Sequence, residues 1–143
     1  MGRSKAKMGS KILAVVAGII VAFVIVFVFE AAGHGIWPPP PGVDVSNPEA
    51  LKTLMPSIPV GAKVAVIVAW AAGAFAGGLV AARIAKNARF AWIIGGVQLA
   101  LGIVTMLSIP HPLAMWIAGV LVPIPAAMLG GLLGTPRAST ART

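Results

Sequence analysis

The stretch at residues 90–136, FAWIIGGVQLALGIVTMLSIPHPLAMWIAGVLVPIPAAMLGGLLGTP, runs for 47 residues without a lysine, arginine, aspartate or glutamate. A bilayer core about 30 Å thick takes about 20 helical residues per crossing, so this stretch crosses twice. Its natural dividing point is Pro110-His111-Pro112, where two prolines disfavour continued helix and supply a tight turn. Two further uncharged runs lie upstream, at 12–29 and 64–82, each long enough for one crossing. The expected fold is therefore all-α, an integral membrane four-helix bundle, with spans over about 11–32, 60–82, 90–109 and 113–133.

Four spans use nearly all of the 143 residues, so residues 1–143 are expected to form one transmembrane domain, with an ordered loop at 33–59. The chain is 59% hydrophobic and only 10% charged, far from soluble composition. It has no cysteine, which removes disulfides, thiolate metal sites and cysteine nucleophiles.

The net charge of +8 has a topological reading. Arg3, Lys5, Lys7 and Lys11 precede the first span; Arg83, Lys86 and Arg89 separate the second from the third; Arg137 and Arg142 follow the fourth. Only Lys52 and Lys63 fall on the other side, together with all three acids, Glu30, Asp44 and Glu49. Loops rich in lysine and arginine stay in the cytoplasm, so both termini are expected there. The basic surface is then matched to anionic lipid headgroups, and nucleic acid is not an expected partner. The first apolar run has 18 residues, longer than the usual stretch of about 7–15 in a cleaved leader, and is read as a retained span.

Between the first two spans, Pro38 to Pro41 stop the first helix after Trp37, and a short polyproline II segment is expected there. Ser46-Asn47-Pro48-Glu49 then reads as a capping box with Ser46 as N-cap, opening a short loop helix over about 48–55. Small residues recur every four positions at Ala69, Gly73, Gly77 and Ala81, with matching sets at Ala14, Gly18, Ala22 and at Gly130, Gly134. Such faces let helix backbones approach closely in lipid, and packing within the bundle is the favoured use over a dimer face.

Polar groups are few. Glu30 and His34 lie four apart on one helical face, and His111 lies in the other outer turn. Topology brings all three to one side of the membrane, where two imidazoles and a carboxylate could bind a divalent transition metal, with Asp44 as a possible fourth ligand. The competing reading gives Glu30 a cap or salt bridge and lets both histidines hydrogen-bond loop carbonyls. Inside the fourth span, Pro123 and Pro125 leave the Gly119 and Leu121 carbonyls without their usual helical donors. Gln98 or Thr105 on the third span is expected to supply donors, and the kink could alternatively line a small pocket. The central membrane holds no ionisable residue, which counts against proton- or sodium-driven transport.

Glu30-Ala-Ala-Gly-His34, Trp37 with its prolines, Ala81-Ala82-Arg83-Ile84-Ala85 closing a glycine-rich span, and Ile109-Pro110-His111-Pro112 together carry a resemblance. On these residues the chain, from Leu13 to Leu133, resembles small uncharacterised four-span inner-membrane proteins of bacteria. The resemblance implies the bacterial cytoplasmic (inner) membrane and brings no activity or ligand with it. The leading functional expectation is a multi-pass protein of structural or accessory type without enzymatic activity, meeting a second copy or another membrane protein. A metal-handling protein using Glu30, His34 and His111 is the second, and a small-solute transporter the third.

Overall fold

The computed structural model describes residues 2–109 and 111–136, and for residues 2–7 the backbone only. The described residues form six α-helices and one 3-10 turn: α1 Gly2–Ile36, α2 Pro48–Leu54, the turn Met55–Ser57, α3 Val60–Ala85, α4 Arg89–Ser108, α5 Leu113–Leu121 and α6 Pro123–Gly134. The fold is all-helical. Four stretches are long and apolar enough to cross a membrane: Met8–Ile36, Val60–Ala85, Arg89–Ser108 and Leu113–Gly134. The Val- and Ile-rich α1 is helical because a lone segment in lipid satisfies its backbone only within itself.

α3 is the central helix, packed on α1 by one face and on α6 by another. The first contact is the expected small-residue ladder: Ala69, Gly73, Gly77 and Ala81 are all buried, opposite buried Ala14, Gly18 and Ala22. A Cβ built on Gly77 would lie 2.6 Å from the Gly18 carbonyl oxygen, and one on Gly73 would lie 2.8 Å from that of Ala22. The second contact is equally close. Gly78 rests on the Ala127 backbone, Gly130 on Phe75 and Gly134 on Leu79. α4 completes the bundle through Ala91 against Gly131 and Gly95 against Ile124. The ladders are thus used inside the chain.

The end of the bundle between α3 and α4 is a tight turn. Lys86 takes a left-handed conformation (φ 54°), and the Lys86 and Asn87 amides both bond the Ala82 carbonyl. Asn87 Oδ1 accepts from the Arg89 amide at 3.0 Å, and Arg83, Lys86 and Arg89 are all exposed. Lys11 is also exposed at this end of α1. The side chains of Arg3, Lys5 and Lys7, and all of Pro110, Arg137 and Arg142, lie outside the described residues.

The opposite end carries the long loop. α1 closes with the Trp37 amide on the Gly33 carbonyl, and the Trp37 ring then lies on Gly61, whose added Cβ would meet it at 2.7 Å. The tetraproline leads into a turn at Pro41 and Gly42. The Val43 amide bonds the Pro40 carbonyl, with Gly42 at φ 80°, the geometry of a type II turn that Pro-Gly favours. The cap of α2 shifts by one residue from the expectation: Asn47 Oδ1, not Ser46, accepts from the Glu49 amide at 2.9 Å. Ser46 is already engaged, since its amide and hydroxyl both donate to Asp44 Oδ1.

The fourth span bends at Val122, where the Val122 amide still reaches Ala118 and the Ala126 amide returns to Val122. The expected donors to the Gly119 and Leu121 carbonyls are not supplied by Gln98 or Thr105. Thr105 Oγ1 donates to Leu101 one turn back in its own helix, at 3.0 Å. Gln98 faces α3 instead and donates through Nε2 to the Trp70 carbonyl at 2.6 Å. A threonine hydroxyl finds its own helix carbonyl without any tertiary partner, which is why the local bond wins.

Candidate functional site

Above the level where Ile94 of α4 meets Gly18 of α1, the two helices are separated by a cavity of about 770 Å³. Its lining on α1 runs from Ile19 to Ile36 and its lining on α4 from Ile94 to Thr105. Ala22, Ile94 and Pro123 are among the residues at its deep end. α2 and the following turn border it through Leu51, Leu54 and Met55, and Trp37 and Pro38 to Pro40 border it from the start of the loop. From Ile19 to His34 the lining covers about 22 Å at about 1.5 Å per residue. That exceeds one leaflet of hydrocarbon, half of about 30 Å. The volume falls within the usual range of ligand pockets, roughly 300–1,000 Å³.

Its polar groups are ordered by depth. Gln98 is deepest, Thr105 lies two turns nearer the loop end on α4, and Glu30, His34, Lys63 and His111 border the loop end. Gln98 Oε1 is buried and has no hydrogen-bond partner among the described residues, although Nε2 is satisfied by Trp70. His111 Nδ1 donates to the Ile109 carbonyl at 2.6 Å, since a carbonyl oxygen only accepts. The His111 ring is tilted against Trp70, with centroids 6.4 Å apart, and Trp70 in turn packs beside Gly119 and Met106. Lys63 and His111 also border a second, shallower depression with Met55 and Pro112.

Every candidate ligand expected from the sequence is accounted for. Glu30, His34 and His111 do border one cavity, as topology implied. They do not assemble a metal centre: among the described residues no group of three or more His, Cys, Asp or Glu is placed to hold an ion. Asp44 is absent from that lining. Its carboxylate is held below its ordinary range by the hydroxyl and then the amide of Ser46. Membrane topology puts residues at one end of a bundle, but common depth does not bring side chains from α1 and the α4–α5 turn to one point.

The cavity hydroxyls are likewise committed to backbone. Ser57 Oγ donates to Leu54 at 2.8 Å, and Thr105 Oγ1 to Leu101, so neither is paired with a histidine as a nucleophile needs. Two lining residues escaped the sequence reading. Lys63 was visible as one of only two basic residues on its side of the chain. Gly102 stands outside the glycine ladders, and a Cβ added to it would meet nothing within 4 Å, so it opens directly onto the cavity.

No protein-family model matches the chain, and no curated protein or solved structure is detectably similar to it. Function is therefore argued from the cavity itself.

Proposed function

We propose that this protein is a non-enzymatic, multi-pass protein of the bacterial cytoplasmic membrane that binds a lipophilic molecule in the cavity between α1 and α4. The observation that carries this reading is a space of about 770 Å³, lined chiefly by apolar side chains and walled by well-packed helices. Apolar pockets with a few convergent polar groups are the usual form of small-molecule sites. The accessory role read from the sequence takes this form: a carrier or sensor of a membrane-soluble ligand rather than a partner-bridging scaffold. Its small-residue faces are occupied by the chain's own helices, so they offer no ready surface to a second protein.

Filling the cavity tests the reading. In Gly102→Leu the added side chain enters open space, so the bundle is expected to persist while the cavity shrinks. An uncharged apolar fluorophore such as 1-aminoanthracene, titrated into purified protein, should show saturable enhancement that weakens at least about tenfold in the variant, a loss of about 1.4 kcal/mol. Equal binding by both proteins would count against the cavity as the site.

The loop end is assigned to the outer face and both termini to the cytoplasm by the positive-inside rule. The cysteine-free chain permits a direct check. A membrane-impermeant maleimide added to intact cells should label Gly42→Cys at once and Lys86→Cys only after permeabilisation. The reverse pattern would invert the topology.

A further inference from the structure

The mouth of the cavity carries two opposite charges that do not neutralise one another. Lys63 and Glu30 are both half-buried and both border the cavity. Among the described residues the single ion pair within 4.0 Å joins Lys52 to Glu49, so neither Lys63 nor Glu30 has a salt-bridge partner. Glu30 feels the nearby His34, one turn on, but among the described residues no hydrogen bond reaches its carboxylate. Lys63 lies in the first turn of α3, where the helix dipole disfavours a cation, so its own helix does not explain its placement. Half-buried charges beside an apolar space are costly when unpaired.

Depth separates the two charges. The contacts Gly18–Gly77 and Ala22–Gly73 fix an antiparallel register between α1 and α3. Continued along the helices, this register sets Lys63 level with Ala32 and Glu30 level with Ala65. The ammonium-bearing residue is thus about 3 Å nearer the loop end than the carboxylate-bearing one, two residues at about 1.5 Å each. Below both lies an apolar space longer than one leaflet of hydrocarbon.

A ligand complementary to this arrangement carries an anion, a nearby cation and an acyl chain. We infer that the occupant is a zwitterionic phospholipid of the surrounding bilayer, its phosphate at Lys63, its ammonium at Glu30 and one acyl chain in the cavity between α1 and α4. This inference rests on the cavity being a lipophilic site and adds the head group. Phosphate accepts from the Lys63 ammonium, and the lipid ammonium donates to the Glu30 carboxylate, so each half-buried charge gains a partner of opposite sign. An anionic lipid would satisfy Lys63 and leave Glu30 repelled; a neutral diacylglycerol would satisfy neither.

Tryptophan quenching by chain-brominated lipids separates these cases. Trp37 and Trp70 border the cavity, whereas Trp92 and Trp116 do not, so a Trp92→Phe, Trp116→Phe background reports on the site. In mixed micelles, brominated phosphatidylethanolamine should quench saturably at a mole fraction at least about fivefold lower than brominated phosphatidylglycerol or diacylglycerol. Lys63→Gln and Glu30→Gln should each erase that preference, and Lys63→Arg should keep it. Gly102→Leu should abolish saturable quenching by all three lipids. If the three lipids quench alike and Gly102→Leu still abolishes quenching, the head-group assignment falls and the cavity reading survives. A preference for phosphatidylglycerol overturns the assignment in the same way. Quenching that Gly102→Leu leaves intact overturns both.

Discussion

The turn half and the loop half of this bundle use glycine for opposite ends. In the turn half, glycines at 18, 77, 78, 130 and 134 bring helix backbones into direct contact, and a methyl group at any of them would meet backbone atoms of a neighbouring helix. In the loop half, Gly33 and Gly102 border the cavity, and a methyl group at either would meet nothing within 4 Å. The residue type is the same and the surroundings decide its work. Where apolar burial no longer drives helix association, close backbone approach supplies the packing, and the turn half concentrates it. The loop half is thereby free to hold an open space without loosening the whole.

The largest expected effect tests the closed half. Gly130→Ala places a methyl group against the Phe75 backbone, which cannot rotate away as a side chain would. It should destabilise the protein by about 1–3 kcal/mol, read as a lower unfolding midpoint in mixed-micelle titrations. An unchanged midpoint would mean that α3 and α6 are not in backbone contact and would dissolve the contrast.

The open half should respond with the opposite sign. Gly102→Ala adds a better helix former at a position with room for it, and should raise stability by about 0.5–1 kcal/mol in the same assay. Destabilisation there would show that the space around α4 is already filled by protein.

The smallest effect belongs to the loop. Asp44 accepts from the hydroxyl and amide of Ser46, which hold its carboxyl below the ordinary carboxylate range. A depressed folded pKa means that the turn gains stability above the ordinary carboxylate range and loses it as pH falls through the lowered value. Ser46→Ala should move the Asp44 titration upward toward the ordinary carboxylate range by NMR while leaving the bundle's unfolding midpoint in place. A titration that does not move would show that the Ser46 hydroxyl bond is absent in solution.

How much of this was readable in advance differs between the two halves. The closed half was legible because its signals are local: uncharged runs of span length, and small residues at a four-residue interval on Ala69, Gly73, Gly77 and Ala81. The site was legible only by depth. Counting along antiparallel spans put Glu30, His34 and His111 at one end correctly, but says nothing about direction around each helix axis. The same gap misdirected Gln98, which turns toward Trp70 on α3 rather than toward the bend at Val122. The cavity itself has no sequence signature, because it depends on how far α1 and α4 separate above Gly18 and Ile94. Gly102 could have hinted at it only as a glycine belonging to no ladder.

The seam between α1 and α3 is pinned at three depths: Gly18 on Gly77, Ala22 on Gly73, and Trp37 on Gly61. From Gly18 to Trp37 is about 28 Å at about 1.5 Å per residue, so the seam follows the cavity over its whole depth. Trp37, resting on Gly61, closes that seam at the loop end. There an indole on a glycine does what backbone on a glycine does deeper in the bundle.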